Sequence, residues 1–578
     1  MEFTYYQLRA YLLKREVNRQ VTFKLAELEK LWHCSIKQCK RRLKQYQELG
    51  HLTYKPGKGR GNYSQLIFCC EFQQEIQLIV EKALQEDTLP AIIDLLQLDI
   101  PKEWFEVVFK EIQGMFGVQQ NQENQDMLRY ILRRPITSLN PLKTAVSREA
   151  FLIRQLGDSL LTYDEETHQL QAGLAHHWRV SEDYRSWTFY LRKGVRFHHG
   201  RILTSEDVRH TLLQAKAAES VVSWQLQHIC EIRCINTYTV TVELIKGEPF
   251  FGYYVSTGNL AILPYDIAFE EQRWVSTGPF KMMEFSNQKI VLEVFEDYYG
   301  QRPLMDRIEF WVIESQELPV TVSAQKEFSE EDSYVEKQKK NVGVEFLIFN
   351  FQRQTVIQQP AFREAMYHLL DFLQMTEELD IGAAASRFYP ERSELKKRLP
   401  EKIDSLLAQS GYQGETLVLG TFNYLEARKK ANWLKKRAEL YDIQLEIVEL
   451  PIEESFYTMD FEKQTDMMMM GDIPATYKEL AFLDFCCNPN LLCQRFFSEE
   501  ILAELSGKVE RMKFHPDYEQ RQIEYEQIDH WLTDNYYLVY ISHPVKKELV
   551  HSTIEQQNNT FSSYLDLRTA WAEKEQPK

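Results

Sequence analysis

The sequence predicts a multidomain chain: a small α+β unit at residues 1–69, a connector, and a large mixed α/β body filling the remainder. Three observations predict it. First, residues 1–68 hold fourteen Lys/Arg against five Asp/Glu, although the 578-residue chain carries a net charge of −17. A basic segment on an acidic chain marks a nucleic-acid module attached to an acidic body. Second, a Gly-rich basic segment joins two alternating stretches between Leu52 and Phe68. Third, from about residue 127 strand-like alternation and helix-cap signals interleave to the C-terminus, with no repeat of 20–50 residues. At 44% hydrophobic and 13% aromatic, the chain can build several cores, which excludes wholesale disorder.

Thr22 to Leu31 reads as one helix, with Leu25, Ala26, Leu28 and Leu31 apolar. His33-Cys34 makes a tight turn. Ser35 then stands as N-cap with Gln38 three residues on, the capping-box spacing. In the helix that follows, Ile36, Cys39, Leu43 and Tyr46 fall on one side. Lys37, Gln38, Arg41, Lys44 and Gln45 fall on the other, with Lys40 and Arg42 on the flanks. Such a helix packs by one face and offers the other to a major groove. Gly50 ends it as a C′ glycine. Leu52–Lys55 and Tyr63–Phe68 pair as strands around Pro56-Gly-Lys-Gly-Arg-Gly-Asn62, where glycines let the backbone approach phosphate and Lys58 and Arg60 supply charge. Helices, a basic helix and a basic-tipped hairpin in this order make a winged helix-turn-helix. The expected DNA contacts are Ser35, Lys37, Gln38, Arg41, Lys44, Gln45, Lys58, Arg60 and Asn62, and the expected partner is a double-stranded operator.

Residues 70–124 read as a helical connector. Phe72–Leu84 has helical periodicity, Pro90 and Pro101 punctuate it, and the polar run Gln119–Gln125 reads as a linker. Residues 125–578 are then expected to fold by themselves. The nine cysteines include no C-x-x-C pair, which fits a reducing compartment better than a disulfide framework or a zinc site. The start has no basic n-region or apolar h-region, and no stretch reaches 18 uninterrupted apolar residues, so a cytoplasmic chain with no membrane partner is expected.

In the body, Trp187–Leu191 alternates as a strand, Leu191–Gly194 turns, and Val195 and Phe197 resume an apolar strand face. Thr204 N-caps a helix starting near Ser205, with Glu206 and Asp207 complementing its dipole. Thr277-Gly-Pro allows a tight turn. Adjacent His198 and His199 point to opposite faces of a strand, which argues against a shared metal. Met467–Met470 reads as a buried strand that could flank a cleft. No G-x-S-x-G, H-E-x-x-H or P-loop pattern occurs, and neither a catalytic site nor a cofactor is expected.

Several stretches resemble the family-5 solute-binding proteins, the peptide- and nickel-binding class. These are Gly173–Trp178 with Trp187–Gly200 and Thr204–Val208; Ser276–Phe280 with Asp297–Gly300 and Asp306–Phe310; and Phe349-Asn350 with Phe362–Met366. The resemblance implies a two-lobed α/β periplasmic-binding-protein-like fold over 125–578. Gly59–Phe68, Leu132–Ile136 with Leu139–Pro141, Ala175–Trp178 and Phe197–Arg201 extend the likeness across both modules to SgrR-type regulators. It implies cytosolic sensing of a small ligand, a sugar phosphate or a peptide-like molecule, coupled to DNA binding. By the same resemblance the cleft is lined by Ser138 and Asn140 at the start of the body, by Met470 and Asp472 at a strand end, and by Arg387 opposite as an anion contact. The family's Trp is missing at 470–472, which weakens a peptide-amine clamp through Asp472. Two other readings stand beside this one: a DNA-binding regulator whose body is a protein-interaction scaffold, and an oligopeptide receptor of a transporter.

Overall fold

A computed structural model describes residues 3–57, 63–85, 89–96, 98–101, 104, 116–120, 125–132, 134–144, 146–217, 220–313, 321–322, 334–340, 343–379, 383–394, 396–451, 460–472, 477–543, 545–551, 554–555 and 567–572. The N-terminal unit runs α1 (Phe3–Leu13), β1 (Gln20–Phe23), α2 (Leu25–Leu31), α3 (Ile36–Glu48), β2 (Leu52–Lys55) and β3 (Ser64–Phe68), with its strands in the order β1-β3-β2. The expected helix from Thr22 therefore starts three residues late. Val21 and Phe23 are buried and alternate with exposed Gln20 and Thr22, a period of two, and β1 pairs antiparallel with β3. Gly50 sits at φ 78°, the left-handed C′ position that glycine occupies without strain.

The connector holds α4 (Phe72–Gln85) and α5 (Leu89–Leu96), and then a strand, β4 (Gly117–Gln120), which pairs antiparallel with β5 (Asp126–Leu132). This corrects the linker reading for Gln119 and Gln120; residues 121–124 lie outside the described set. Glutamines carry no apolar signal, but β4 is an edge strand, and its pairing with the apolar β5 decides its conformation rather than its own hydropathy.

The first lobe is built on a five-stranded sheet in the order β12-β13-β14-β5-β4, with β12 at Phe280–Phe285, β13 at Lys289–Val294 and β14 at Arg307–Val312. Inserted between its parts are a hairpin of β6 (Leu161–Asp164) and β7 (Gln169–Ala172) and a four-stranded sheet of β8 (Ala175–Val180), β9 (Ser186–Leu191), β10 (Ile229–Asn236) and β11 (Thr239–Leu244). β9 alternates as expected, with Trp187, Phe189 and Leu191 buried. Val195 and Phe197 are buried too, but form no strand: a single bridge joins Arg196 to Ile202 between the left-handed Gly194 and Gly200. At the helix Ser205–Ala217 the cap is made by Asp207. Its carboxylate accepts from the Thr204 amide at 2.8 Å and the Thr204 hydroxyl at 3.0 Å. Gly278 is required by closeness, since a Cβ there would stand 2.4 Å from the Leu156 carbonyl carbon.

β5 and β14 are buried on both faces, and the two faces serve different cores. Leu128, Tyr130, Leu132, Ile308, Phe310 and Val312 point into the first lobe. Ile131, Trp311 and Ile313 belong to the core that contains Tyr5, Phe23, Leu43, Phe72 and Ile92. The N-terminal unit and connector thus share one core with the outer face of the first lobe's sheet.

The second lobe carries a six-stranded sheet in the order β18-β22-β17-β21-β19-β20. Its strands are β17 (Val344–Phe349), β18 (Ala383–Ala384), β19 (Leu417–Phe422), β20 (Leu445–Leu450), β21 (Met467–Asp472) and β22 (Leu538–His543). The expected buried methionine strand is β21, between β17 and β19. The chain crosses between lobes twice, and the crossings pair: β23 (Val545–His551) is antiparallel to β16 (Tyr334–Lys340) and parallel to the short β15 (Thr321–Val322).

Candidate nucleic-acid interface and interlobe seam

α3 begins with both halves of the capping box. The Ser35 hydroxyl accepts from the Gln38 amide at 3.4 Å, and Gln38 Oε1 accepts from the Ser35 amide at 3.1 Å. Cys39, Leu43 and Tyr46 are buried. Tyr46 stacks edge-on against Tyr5 at 5.3 Å, and its hydroxyl lies 2.6 Å from the Thr4 hydroxyl, which ties α3 to α1. Ser35, Lys37, Gln38, Arg41, Lys44 and Gln45 are exposed. Ile36, expected on the packed side, is 41% exposed at the first residue of the helix. Arg42, on the flank, lies over the Trp32 ring at 5.4 Å. Among the described residues no ion pair uses Lys37, Arg41 or Lys44. Two arginines nearby are committed, Arg9 to Glu16 and Glu75 and Arg15 to Glu27. β2 and β3 form the wing's stem, with Lys55 opposite Gln65 and the Gly57 amide donating to the Ser64 hydroxyl at 3.2 Å. The expected contacts Lys58, Arg60 and Asn62 lie outside the described residues.

The seam between lobes is assembled from the insertion on one side and the second lobe on the other. Tyr163 stacks on Tyr477 at 4.3 Å, and His168 on Tyr518 at 3.8 Å. The Tyr477 hydroxyl donates to the Tyr253 carbonyl at 2.6 Å. Arg521 donates to the Tyr253 hydroxyl at 3.2 Å and pairs with buried Glu479 at 3.0 Å. Burial works against the Arg521 charge, but Glu479 outweighs it and holds the guanidinium protonated. Lys513 pairs across the seam with Glu248, both side chains buried, and burial of that ammonium is likewise outweighed by Glu248 and Glu510. Lys246 reaches Glu510 at 2.5 Å. Behind the seam Arg568, returning near the C-terminus, pairs with buried Asp158 at 2.9 Å. None of these residues was singled out from the sequence. Glu248 and Lys513 lie 265 positions apart and Asp158 and Arg568 410, so no local pattern announces them.

The five expected ligand contacts are dispersed. Ser138 is buried and donates to Glu271 at 2.6 Å. Asn140 Oδ1 accepts from the Leu142 amide at 3.0 Å, closing its own turn. Arg387 donates to Thr533 at 2.7 Å and lies 2.7 Å from His530 Nδ1, at the end of the helix Tyr518–Asp534. Met470 and Asp472 sit on β21 opposite Phe346 and Val344. Among the described residues no hydrogen bond joins these three places. The two histidines lie in a turn and not on the expected strand: His198 is buried against the Gly278 carbonyl at 3.0 Å, and burial pulls its pKa down to about 4, while His199 faces Asp266 at 3.8 Å.

Residues 169–490, more than half the chain, match the model of bacterial extracellular solute-binding proteins, family 5. The chain belongs to that family. Residues 4–119 match the N-terminal region of the sugar transport-related sRNA regulator, so the family-5 body follows an SgrR-type module. The chain is 27% identical over 517 residues to uncharacterized protein YhjP of Bacillus subtilis, covering 85% of this chain and 86% of the relative. It is 26% identical over 478 residues to the HTH-type transcriptional regulator SgrR of Pectobacterium atrosepticum, covering 76% and 81%. Among solved structures, a dipeptide-binding protein from Pseudoalteromonas in complex with Met-Leu superposes with a TM-score of 0.65 at 18% identity, over 77% of this chain and all of that one. NikA from Brucella suis in complex with Fe(III)-EDTA superposes at 0.64 and 17%, over 77% and 100%. At these identities the structures establish the two-lobed fold. No helix among the described residues is long and apolar enough to cross a membrane.

Proposed function

We propose that the chain is a cytoplasmic DNA-binding transcription regulator. In this reading α3 and the wing bind a double-stranded operator, and the two-lobed body senses a small metabolite, a sugar phosphate or a peptide-like molecule. The observation that carries the reading is the pairing of an exposed, unpaired basic face on α3 with a core that continues from this unit into Trp311 and Ile313 of the first lobe. Ligand alters DNA affinity only if it binds the open and closed bodies differently. Couplings of this kind run to about 1–3 kcal/mol, or roughly 5- to 150-fold, and DNA must change ligand affinity by the same factor. Contacts at Ser138, Asn140 and Arg387 would require their internal bonds to be exchanged for bonds to ligand, with Met470 and Asp472 completing the expected set.

The test is to select an operator from a random duplex pool with the full chain, titrate sugar phosphates and short peptides by calorimetry, and measure operator affinity with and without the best binder. About four phosphate contacts would give a log–log salt slope of about −3.6. Unchanged binding in an Arg41/Lys44/Arg60 triple alanine variant removes the DNA assignment. The Tyr163–Tyr477 stack, which fills the seam with the chain's own rings, favours the scaffold reading as a second possibility. A tight ligand that leaves operator affinity unchanged at saturation would decide for it.

A further inference from the structure

Four of the nine cysteines lie in the first 70 residues, and two of them touch. Cys34 occupies the turn between α2 and α3, half-buried, and Cys39 lies fully buried in the first turns of α3. Their sulfurs are 3.6 Å apart, and the Cys39 thiol also points toward the Cys34 carbonyl at 3.9 Å. Between them in sequence sits the Ser35–Gln38 capping box, and Lys37, Gln38 and Arg41 flank Cys39 on the outward face. We propose that Cys34 and Cys39 form a reversible disulfide that disables the DNA-reading helix. The inference rests on the DNA-binding reading above.

The chemistry balances with a hydroperoxide as oxidant. Cys34, the more accessible sulfur, attacks the peroxide as thiolate; the O–O bond breaks, the alcohol or water leaves, and Cys34 becomes a sulfenic acid. The Cys39 sulfur then attacks the Cys34 sulfur. The S–S bond forms, the S–O bond breaks, and the departing hydroxide takes the Cys39 proton as water. Burial keeps Cys39 from the oxidant and, with Cys34 alongside, pushes its thiol up to about 12, which disfavours its reaction with free oxidant. Its place 3.6 Å from the Cys34 sulfur is what suits it to the second, intramolecular step. A disulfide needs about 2.05 Å between sulfurs. Drawing Cys34 inward from 3.6 Å moves the turn that carries Ser35, opens the cap and re-aims the first two turns of α3. Reaction at exposed Cys69 and Cys70 is the competing event.

The experiment treats the full chain with limiting hydroperoxide, maps disulfides by mass spectrometry, and measures binding to a duplex selected by the reduced chain. The expected result is a Cys34–Cys39 linkage and an affinity loss of about tenfold or more, the scale of one lost base contact, reversed by dithiothreitol. Cys34→Ser should keep reduced-state affinity and lose the response; a Cys69→Ser/Cys70→Ser variant should keep both. If Cys69 or Cys70 oxidises while Cys34 and Cys39 stay thiols, or if the linkage forms and affinity holds, the proposal is overturned. If the reduced chain selects no duplex, the DNA-binding reading fails instead, and the mapped linkage still reports on the thiol pair.

Discussion

The outward face of α3 and the interlobe seam treat charge in opposite ways. On α3, Lys37, Arg41 and Lys44 stand exposed and without carboxylate partners, so their fields extend into solvent. In the seam, Lys513 and Arg521 are buried with Glu248 and Glu479, and their fields are consumed within a few ångströms. A surface that reads an outside polyanion needs uncommitted cations. A surface that holds two lobes together needs committed ones, because a buried ion costs several kcal/mol unless paired. The same residue types thus stand uncommitted in one place and form a clasp in the other, and only burial separates them.

The sharpest way to break this contrast is Lys513→Met. It leaves Glu248 buried and unpaired, a cost of about 3–5 kcal/mol in the docked state. The lobes should relieve it by parting, so scattering should report a larger radius of gyration and thermal unfolding should come earlier. An unchanged radius and melting temperature would mean that the pair holds nothing.

Acid gives the next effect. Burial raises Asp484 and Asp529 of the second lobe to about 6. A carboxyl raised in the fold stabilises below its ordinary range near 4 and loses that contribution as pH rises through 6. His198 of the first lobe, lowered to about 4, does the reverse: its contribution is full above about 6.5 and is lost as pH falls toward 4. Between pH 7.5 and 5.5 the second lobe should therefore gain stability, by about 0.8 kcal/mol for each carboxyl raised to about 6, while the first does not. Proteolysis followed by peptide mapping would separate them, and Asp529→Asn should flatten the second lobe's dependence.

On α3 the expected effects are smaller. Arg41→Ala should weaken operator binding by about 1–3 kcal/mol and relax preference at one base position. Lys44→Ala should reduce the salt slope by about 0.9 if Lys44 meets phosphate. The mildest is Ser35→Ala, which removes the cap acceptor and should cost about 1 kcal/mol of stability, read in urea.

This contrast also explains what was legible. The capping box, the buried Cys39-Leu43-Tyr46 stripe, Gly50 and the β2–β3 stem are local: each is set by residues within a few positions, so periodicity and cap chemistry reveal them. The family-5 motifs revealed the lobes. The seam is not local. Tyr163 meets Tyr477, and Asp158 meets Arg568, through the fold alone. β1 was misread because Val21 and Phe23 take their period from β3. β4 was misread because its glutamines are ordered by β5. Arg387 looked available for an anion, and its donors turn to Thr533 and His530 instead.

The alternation along β5 and β14 has a practical side for anyone wishing to exchange the operator-reading portion of such a chain for another. Trp311, Ile131 and Ile313 are the floor on which α4, α5 and the N-terminal helices rest. A cut at residue 125 would remove β4 and strip that floor, leaving an oily, unpaired sheet edge in water, and the shortened chain should clump. A graft that carries residues 1–120 as one piece, with Trp311 and Ile313 matched to the incoming helices, keeps the floor covered. The unit to exchange is therefore longer than residues 1–69, because its core continues into Ile131, Trp311 and Ile313.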